Sequence, residues 1–299
     1  MGQSAGGRAG GLRAGRVVGR PVPERPVRIR LHPVPPAREP RPRTPPEAGL
    51  SLSPASRGPA YAAVLIDVLR TTSTLAHAFA AGAREAQFFA EPELARAAQA
   101  HARRPFLLCG EREGLRIRGF DLGNSPFEYP PERVRGATLL FASTNGSLAF
   151  LATHDAAAQW AAAFVNLDAA VRAAAAWLAG RDPGAAELPL EEEQADLHVV
   201  CAGKLGEPAE EDTACGALFV LRLMQRLAEA GRDAEVRADG GALSLAPESE
   251  AETRRRVTES AHGRYLATLG PSFVADVEAC ARWDVVDLAP AGRGARLRA

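Results

Sequence analysis

Val64-Leu-Ile-Asp-Val-Leu-Arg-Thr-Thr-Ser-Thr74 is the stretch on which the fold turns. It closes an apolar run over residues 62–66, passes a carboxylate and a hydroxyl-rich turn holding Arg70, and enters an Ala-rich stretch with helical spacing over 72–81. A short apolar run bounded by polar turn residues reads as a buried strand, and a strand running directly into a helix is the repeating unit of layered α/β folds. The same order recurs in Leu139-Leu-Phe-Ala-Ser-Thr-Asn-Gly-Ser147. The sequence thus predicts an α/β fold, a layered α/β/α arrangement with a mixed sheet, and the echo raises two similar halves.

Working outward, further strands are expected at 86–89, 106–109, 138–141 and 198–201. Helices are expected at 92–103, 147–153, 167–179 and 213–230, the last followed by Gly231 in the position that commonly ends a helix. Residues 180–196 read as an acidic loop. Upstream, Val27-Arg-Ile-Arg-Leu31 alternates apolar and basic residues with the period of a half-buried strand, expected at an edge of the sheet, and a long loop follows over 32–59.

Charge divides the chain. Residues 1–59 carry 11 Arg against 3 acidic residues and 12 of the 23 prolines, while the rest is acidic by eight charges. So little apolar surface cannot offset ordering entropy, so residues 1–59 are expected to form a largely disordered Pro/Arg-rich extension. The folded domain is expected over 60–291, with a tail at 292–299. The extension lacks aromatic interleaving and any recognisable binding module, which argues against a nucleic-acid partner. No run approaches the ~20 apolar residues that span a bilayer, and Met1-Gly-Gln-Ser-Ala5 lacks a secretory pattern, so no membrane partner and a cytoplasmic location are expected. The four cysteines stand far apart without metal or disulfide spacing. The oligomeric state stays open, a homo-oligomer included.

Both echoed turns offer what an anion needs, namely unpaired N–H groups at a helix start and Ser/Thr hydroxyls. The competing role for those hydroxyls is capping. Arg70 favours binding, because a guanidinium holds a pair of anionic oxygens bidentately. Asp67 ends the strand beside it, where an acid is unhelpful to an anion unless a cation lies between; it reads first as a magnesium ligand and second as a phosphoryl-accepting nucleophile. Glu111 and Arg112 repeat the pairing, with a surface ion pair as the alternative. The Gly119–Pro126 loop holds Asp121, Asn124 and Ser125 between glycines and a proline. Cys201-Ala-Gly-Lys-Leu-Gly206 leaves another strand through glycines and carries Lys204, the only lysine. Asp212 either caps the following helix or faces the metal, and His262 and Arg264 share one late segment. Cys201 as a nucleophile lacks the Cys-x5-Arg loop of thiol phosphatases.

In order, Ile66-Asp-Val-Leu-Arg-Thr-Thr-Ser-Thr74, Cys109-Gly-Glu-Arg112, Gly119-Phe-Asp-Leu-Gly-Asn-Ser-Pro126, Ser143-Thr-Asn-Gly-Ser147, Cys201-Ala-Gly203, Glu211-Asp-Thr213 and Ser260-Ala-His-Gly-Arg-Tyr-Leu266 resemble the 2-phosphosulfolactate phosphatase family over residues 62–290. The resemblance implies Mg2+-dependent hydrolysis of 2-phospho-3-sulfolactate to sulfolactate and phosphate, a step of coenzyme M biosynthesis in methanogens. A substrate with phosphate, carboxylate and sulfonate needs at least two anion pockets. Arg70, Thr71, Thr72 and Ser73 are expected to supply one, and Thr144, Asn145 and Gly146 the other. Asn124, Ser125, Arg112, Lys204, His262 and Arg264 are candidates for the remaining contacts. Asp67 is expected to share the metal with Glu111, Asp121 or Asp212, the first three also being the catalytic candidates. Lys204 departs from the family's wording, where a small hydroxyl residue is expected, and Arg70-Thr71 stands where Arg-Ala is usual. Lys204 therefore keeps open another small phosphorylated acid as substrate, and loss of catalysis in an anion-binding protein is the alternative from a different class.

Overall fold

A computed structural model of the protein describes residues 26–35, 61–102, 104–180, 196–238, 241–294 and 296–299. The expected disorder of the extension, most of the 32–59 loop and nearly all of the 180–196 loop lie outside the described residues. In chain order the elements are β1 (Val27–His32), β2 (Tyr61–Ile66), α1 (Thr71–Ala80), β3 (Glu85–Phe88), α2 (Pro92–Ala98), β4 (Phe106–Arg112), β5 (Leu115–Arg116), α3 (Pro131–Val134), β6 (Thr138–Ala142) and α4 (Gly146–Ala152). They continue with β7 (Ala158–Ala162), α5 (Leu167–Leu178), β8 (Asp196–Cys201), α6 (Glu210–Glu229), β9 (Ala234–Ala238), α7 (Glu250–Glu259), α8 (Ala261–Thr268), α9 (Pro271–Cys280), β10 (Ala291–Arg293) and β11 (Arg296–Arg298).

The described strands form one mixed 11-stranded sheet in the order β5-β4-β6-β3-β11-β10-β7-β2-β8-β1-β9. Apart from the short antiparallel β5, two parallel blocks make it up: β4-β6-β3 and β7-β2-β8-β1-β9. Between them sits the antiparallel β10–β11 hairpin, which pairs antiparallel with β7 on one side and β3 on the other. Three successive reversals leave the blocks running in opposite directions, so the layered α/β fold has a mixed sheet because of its last strands. The stretch expected to trail as a tail at 292–299 therefore lies inside the sheet. Its alternating Arg296-Leu-Arg298 is too short to signal a strand alone, but Leu297 is fully buried between the blocks.

β1 is the other departure: it is not an edge strand but pairs in parallel with both β8 and β9. Its arginines look like edge-strand charges, yet Arg28 Nε lies 2.7 Å and Arg30 Nη2 3.6 Å from Asp196 on the neighbouring strand, so the charged face is neutralised within the sheet. β7 was invisible in the sequence because Ala158-Gln-Trp-Ala-Ala162 is poor in β-branched residues. Its Gln159 is fully buried and donates to Phe150 O (2.9 Å), Thr153 O (3.1 Å) and Thr153 Oγ1 (2.8 Å), tying β7 to the end of α4.

Burial explains the layers. One face of the larger block packs Val27, Ile29, Val64 and Trp160 against α5 and α6, with Trp160 and Trp177 edge to face at 6.1 Å. The other face shares a single core with the smaller block: Ala63 and Leu65 of β2, Leu139 and Phe141 of β6, Leu75 and Phe79 of α1, and Phe150 of α4, which stacks on Phe88 at 4.0 Å. The far face of the smaller block packs on α2 through Ala95, Leu108 and Leu140. Both echoed strand-to-helix units thus turn their helices into the same core. Because Leu297 joins that core, Leu297→Ala is expected to lower unfolding free energy by about 2–4 kcal/mol, measured by urea titration.

Candidate active site

A cavity of about 470 Å³ opens where strands of both blocks end. Asp67 and Arg70 reach it after β2, Glu111 and Arg112 from the end of β4, Thr144 and Asn145 after β6, and Lys204 and Leu205 after β8, while Asn124 comes from the loop before the 3-10 turn at 126–128 and His262, Tyr265 and Leu266 from α8. Ligands of α/β sheets collect outside the carboxyl ends of strands.

The turn after β2 is held by its own hydroxyls. Thr72 Oγ1 donates to the Asp67 carbonyl (2.9 Å) and accepts the Asp67 N–H (3.0 Å), Ser73 Oγ donates to the Val68 carbonyl (2.8 Å), and Thr74 Oγ1 donates to the Asn124 carbonyl (3.0 Å). Thr72 and Ser73 are buried and engaged in the turn rather than lining the cavity. Thr71 Oγ1 donates to Ser143 Oγ (3.1 Å) and accepts from Asn124 Nδ2 (3.3 Å). The second turn abuts the first at Gly146, where a Cβ would stand 2.4 Å from Asp67 Oδ2 and 2.5 Å from Thr71 Oγ1. No larger residue fits there. Ser147 Oγ accepts the Ser143 N–H (2.8 Å), and Asn145 Oδ1 accepts the Leu205 N–H (3.0 Å).

The carboxylates divide by what already holds them. Glu111 accepts the Thr144 and Gly114 N–H groups, both at 2.8 Å, and so ties the β4 end to the second turn. Asp212, at the start of α6, accepts the N–H groups of Val68 (2.8 Å) and Gly203 (3.1 Å), joining the β2 and β8 ends. Burial, then the neighbouring Asp67 and Glu211, push its acid well above the usual carboxylate range. Asp121 is exposed, accepts the Leu108 N–H (2.8 Å) and does not line the cavity, so the structure separates it from the other acids. Asp67 faces the cavity; burial raises its acid to about 6, against the opposing effects of the Thr71 hydrogen bond and the His262 charge, with Glu111 adding to the rise.

The cations differ in the same way. Arg70 is buried, donating to Asp276 Oδ2 (2.5 Å) and the Gly114 carbonyl (2.5 Å) with its guanidinium 4.9 Å from the Phe273 ring. Ser125 Oγ donates to the other Asp276 oxygen (2.5 Å), so Ser125 serves the ion pair. Arg112 donates to the Glu111 (2.9 Å) and Ala90 (2.7 Å) carbonyls. Arg264 is exposed, donates to the Glu259 carbonyl (2.6 Å) and does not line the cavity. Lys204 Nζ lies 4.3 Å above the Tyr265 ring and forms no ion pair among the described residues. Its loop is pinned by reciprocal backbone bonds with Glu207 (2.8 and 3.0 Å) and by Gly203, where a φ of +63° and the 2.4 Å at which a Cβ would meet Glu207 O exclude a side chain. Two further oxygens of cavity residues, Asn124 Oδ1 and Thr144 Oγ1, are buried without a hydrogen-bond partner among the described residues.

Cys201 does not supply a thiolate: it is buried, its Sγ donates to the Asp212 carbonyl at 3.3 Å, and burial drives the thiol well above its ordinary range. Sequence reasoning missed Asp276 and Glu211. Asp276 shares the i, i+3, i+4, i+7 face of α9 with Phe273, Val277 and Cys280, and an acid on such a stripe signals a buried partner. Glu211 stands in the sequence only as the first residue of the Glu211-Asp-Thr213 motif, with no role given to it.

The sequence model of the family described as 2-phosphosulpholactate phosphatase matches residues 51–294. The chain belongs to that family. Its members are phosphoric monoester hydrolases by name. Among similar proteins, a probable 2-phosphosulfolactate phosphatase of Synechococcus sp. (strain JA-2-3B'a(2-13)) is 34% identical over 236 residues, covering 79% of this chain and 90% of its own. One from Thermosynechococcus vestitus is 34% identical over 234 residues, 76% of this chain and 87% of its own. A third, from Pseudothermotoga lettingae, is 30% identical over 237 residues, 77% and 88%. No helix among the described residues is long and apolar enough to cross a membrane.

Two outcomes follow from this family member's site. Asp276→Ala strands a buried guanidinium and is expected to cost about 3 kcal/mol or more, whereas Arg70→Met with Asp276→Leu recovers much of the loss; urea unfolding of both variants checks it. For Asp67 the folded acid is weaker than the ordinary value of 3.8, so its contribution to stability is full below that pH and is lost as pH rises through about 6. Without divalent cations, the melting temperature of the wild type is expected to fall across that window, and that of Asp67→Asn to fall less.

Proposed function

We propose that the chain hydrolyses 2-phospho-3-sulfolactate to 3-sulfolactate and phosphate with the help of Mg2+, as a cytoplasmic enzyme. The observation that carries this reading is the pairing, in one cavity, of a buried carboxylate that forms no salt bridge to an arginine or lysine among the described residues, Asp67, and a lysine that forms no ion pair among them, Lys204. A substrate bearing phosphate at one end and a second acidic group at the other, with a cation at the phosphate end, satisfies both.

The donor set fits magnesium. Asp67 and the orphaned Asn124 Oδ1 are hard oxygens flanking the Thr71 hydroxyl, and burial disfavours the Asp67 charge in the absence of a cation. Among the described residues no three His, Cys, Asp or Glu side chains are grouped to hold a metal by themselves. Mg2+ is commonly held by one or two carboxylates together with water and substrate phosphate. Bound there, it supplies charge neutralisation on the phosphoryl oxygens. Asp212 and Glu111 fix the turns that present Asp67, through the backbone bonds described above. Arg70 lines the cavity with two of its five N–H groups committed to protein, leaving others for an anion. Lys204 holds the remote carboxylate or sulfonate from a loop tied by its backbone bonds to Glu207, and Leu69 and Leu266 give the cavity an apolar wall.

A second reading, another small phosphorylated acid as substrate, draws on Lys204 itself, because an ammonium binds a carboxylate as readily as a sulfonate. Purified protein is expected to release phosphate from phosphosulfolactate with Mg2+, to lose the activity with chelator, and to lose about 10²-fold or more in Asp67→Asn. Lys204→Met is expected to raise KM about tenfold or more, the worth of one charged hydrogen bond, with kcat little changed. Faster turnover of phospholactate than of phosphosulfolactate would move the assignment to the second reading, and binding without turnover would leave an inactive anion-binding protein.

A further inference from the structure

His262 lines the cavity with one ring nitrogen at ion-pair distance from a buried acid. Its Nδ1 lies 3.3 Å from Glu211 Oε1, an ion-pair distance, the Glu211 side chain is 2% exposed, and that oxygen accepts no hydrogen bond among the described residues. The two residues sit on the first turns of different helices, α8 and α6. The α8 start is itself fixed by Ser260 Oγ, which accepts the Gly263 N–H at 2.9 Å. Asp67 lies near enough for the His262 charge to bear on its ionisation. With Nδ1 on the Glu211 side, Nε2 is the nitrogen left for a ligand, and a buried carboxylate at this distance is placed to orient an imidazole for proton transfer once the ring is engaged.

We propose that His262 is the general acid for the leaving group and that Glu211 is its positioning residue; the inference rests on the phosphatase reading above. A water oxygen forms its bond to phosphorus as the ester P–O bond breaks, and the bonding pair stays on the C2 oxygen of the substrate. That oxygen takes the proton from Nε2 of the doubly protonated ring, while Nδ1–H remains with Glu211. The proton of the attacking water leaves to solvent, which later restores the ring's proton. A secondary alkoxide is a poor leaving group without such a donor, and a positioned acid contributes about 10²- to 10⁴-fold.

The test compares phosphosulfolactate with its analogue carrying sulfur at the bridging position, since a thiolate leaves without a proton. With Mg2+, His262→Asn is expected to lower kcat for the oxygen ester by about 10²-fold or more and for the sulfur analogue by less than about threefold. Glu211→Gln is expected to lower the oxygen ester alone, by about tenfold. Retained turnover of the sulfur analogue shows that each variant is folded and binds. Equal losses on both substrates, or no loss on the oxygen ester, would overturn the dyad. A wild type that turns over neither substrate would instead overturn the hydrolytic reading, and the dyad with it.

Discussion

The arrangement depends on one close approach, that of the Asp67 carboxylate and the Thr71 hydroxyl to the α carbon of Gly146. It brings the turn after β2 against the turn after β6, although the two strands belong to blocks of opposite direction. Everything else around the cavity serves this meeting. α1 and α4 leave the two turns into one shared core, Glu111 clasps the second turn to the end of β4, and Asp212 clasps the first to the end of β8. A side chain at position 146 would separate the two turns beside the cavity.

That meeting has an energetic cost, visible in the acids. Asp67 and Asp212 are both buried, both disfavoured as anions by burial, and Asp212 further by Asp67 itself. Natural cores avoid unpaired buried charge because its desolvation is expensive. Retaining it here is reasonable only if a cation or a substrate completes the site, so the protein gives up stability in the empty state in order to gain affinity in the occupied one. The Arg70–Asp276 pair shows the opposite solution, a charge brought into the interior together with its own counterion and an aromatic face.

Much of this was legible in the sequence, for reasons that differ by element. The strands around 62–66, 106–109 and 138–141 announced themselves because buried parallel strands are continuous apolar runs, and the turn residues after them carried the chemistry. Helix α9 left no motif, and its Asp276 acquires meaning only through Arg70, 206 positions earlier. The hydroxyls of Thr72 and Ser73 satisfy both a capping and a binding pattern, and only the distances assign them to the backbone. β1 misled because its arginines look solvated until Asp196 is placed beside them. β7 and β11 were hidden by composition and by brevity, respectively.

The C-terminal hairpin also has a kinetic side. Arg298 meets Glu85 across 213 residues, so the strands that make one sheet of two blocks form their pairings over nearly the longest separation the fold contains. Long-range pairings are the slowest to form, because chain closure must precede any gain from contact. The smaller block can assemble from nearer neighbours, whereas β1 joins β9 in the larger block over a separation almost as long as the seam's. The sheet becomes continuous only when the hairpin slots in. The cavity wall, drawn from strand ends of both blocks, is thus joined through the seam rather than built within either block.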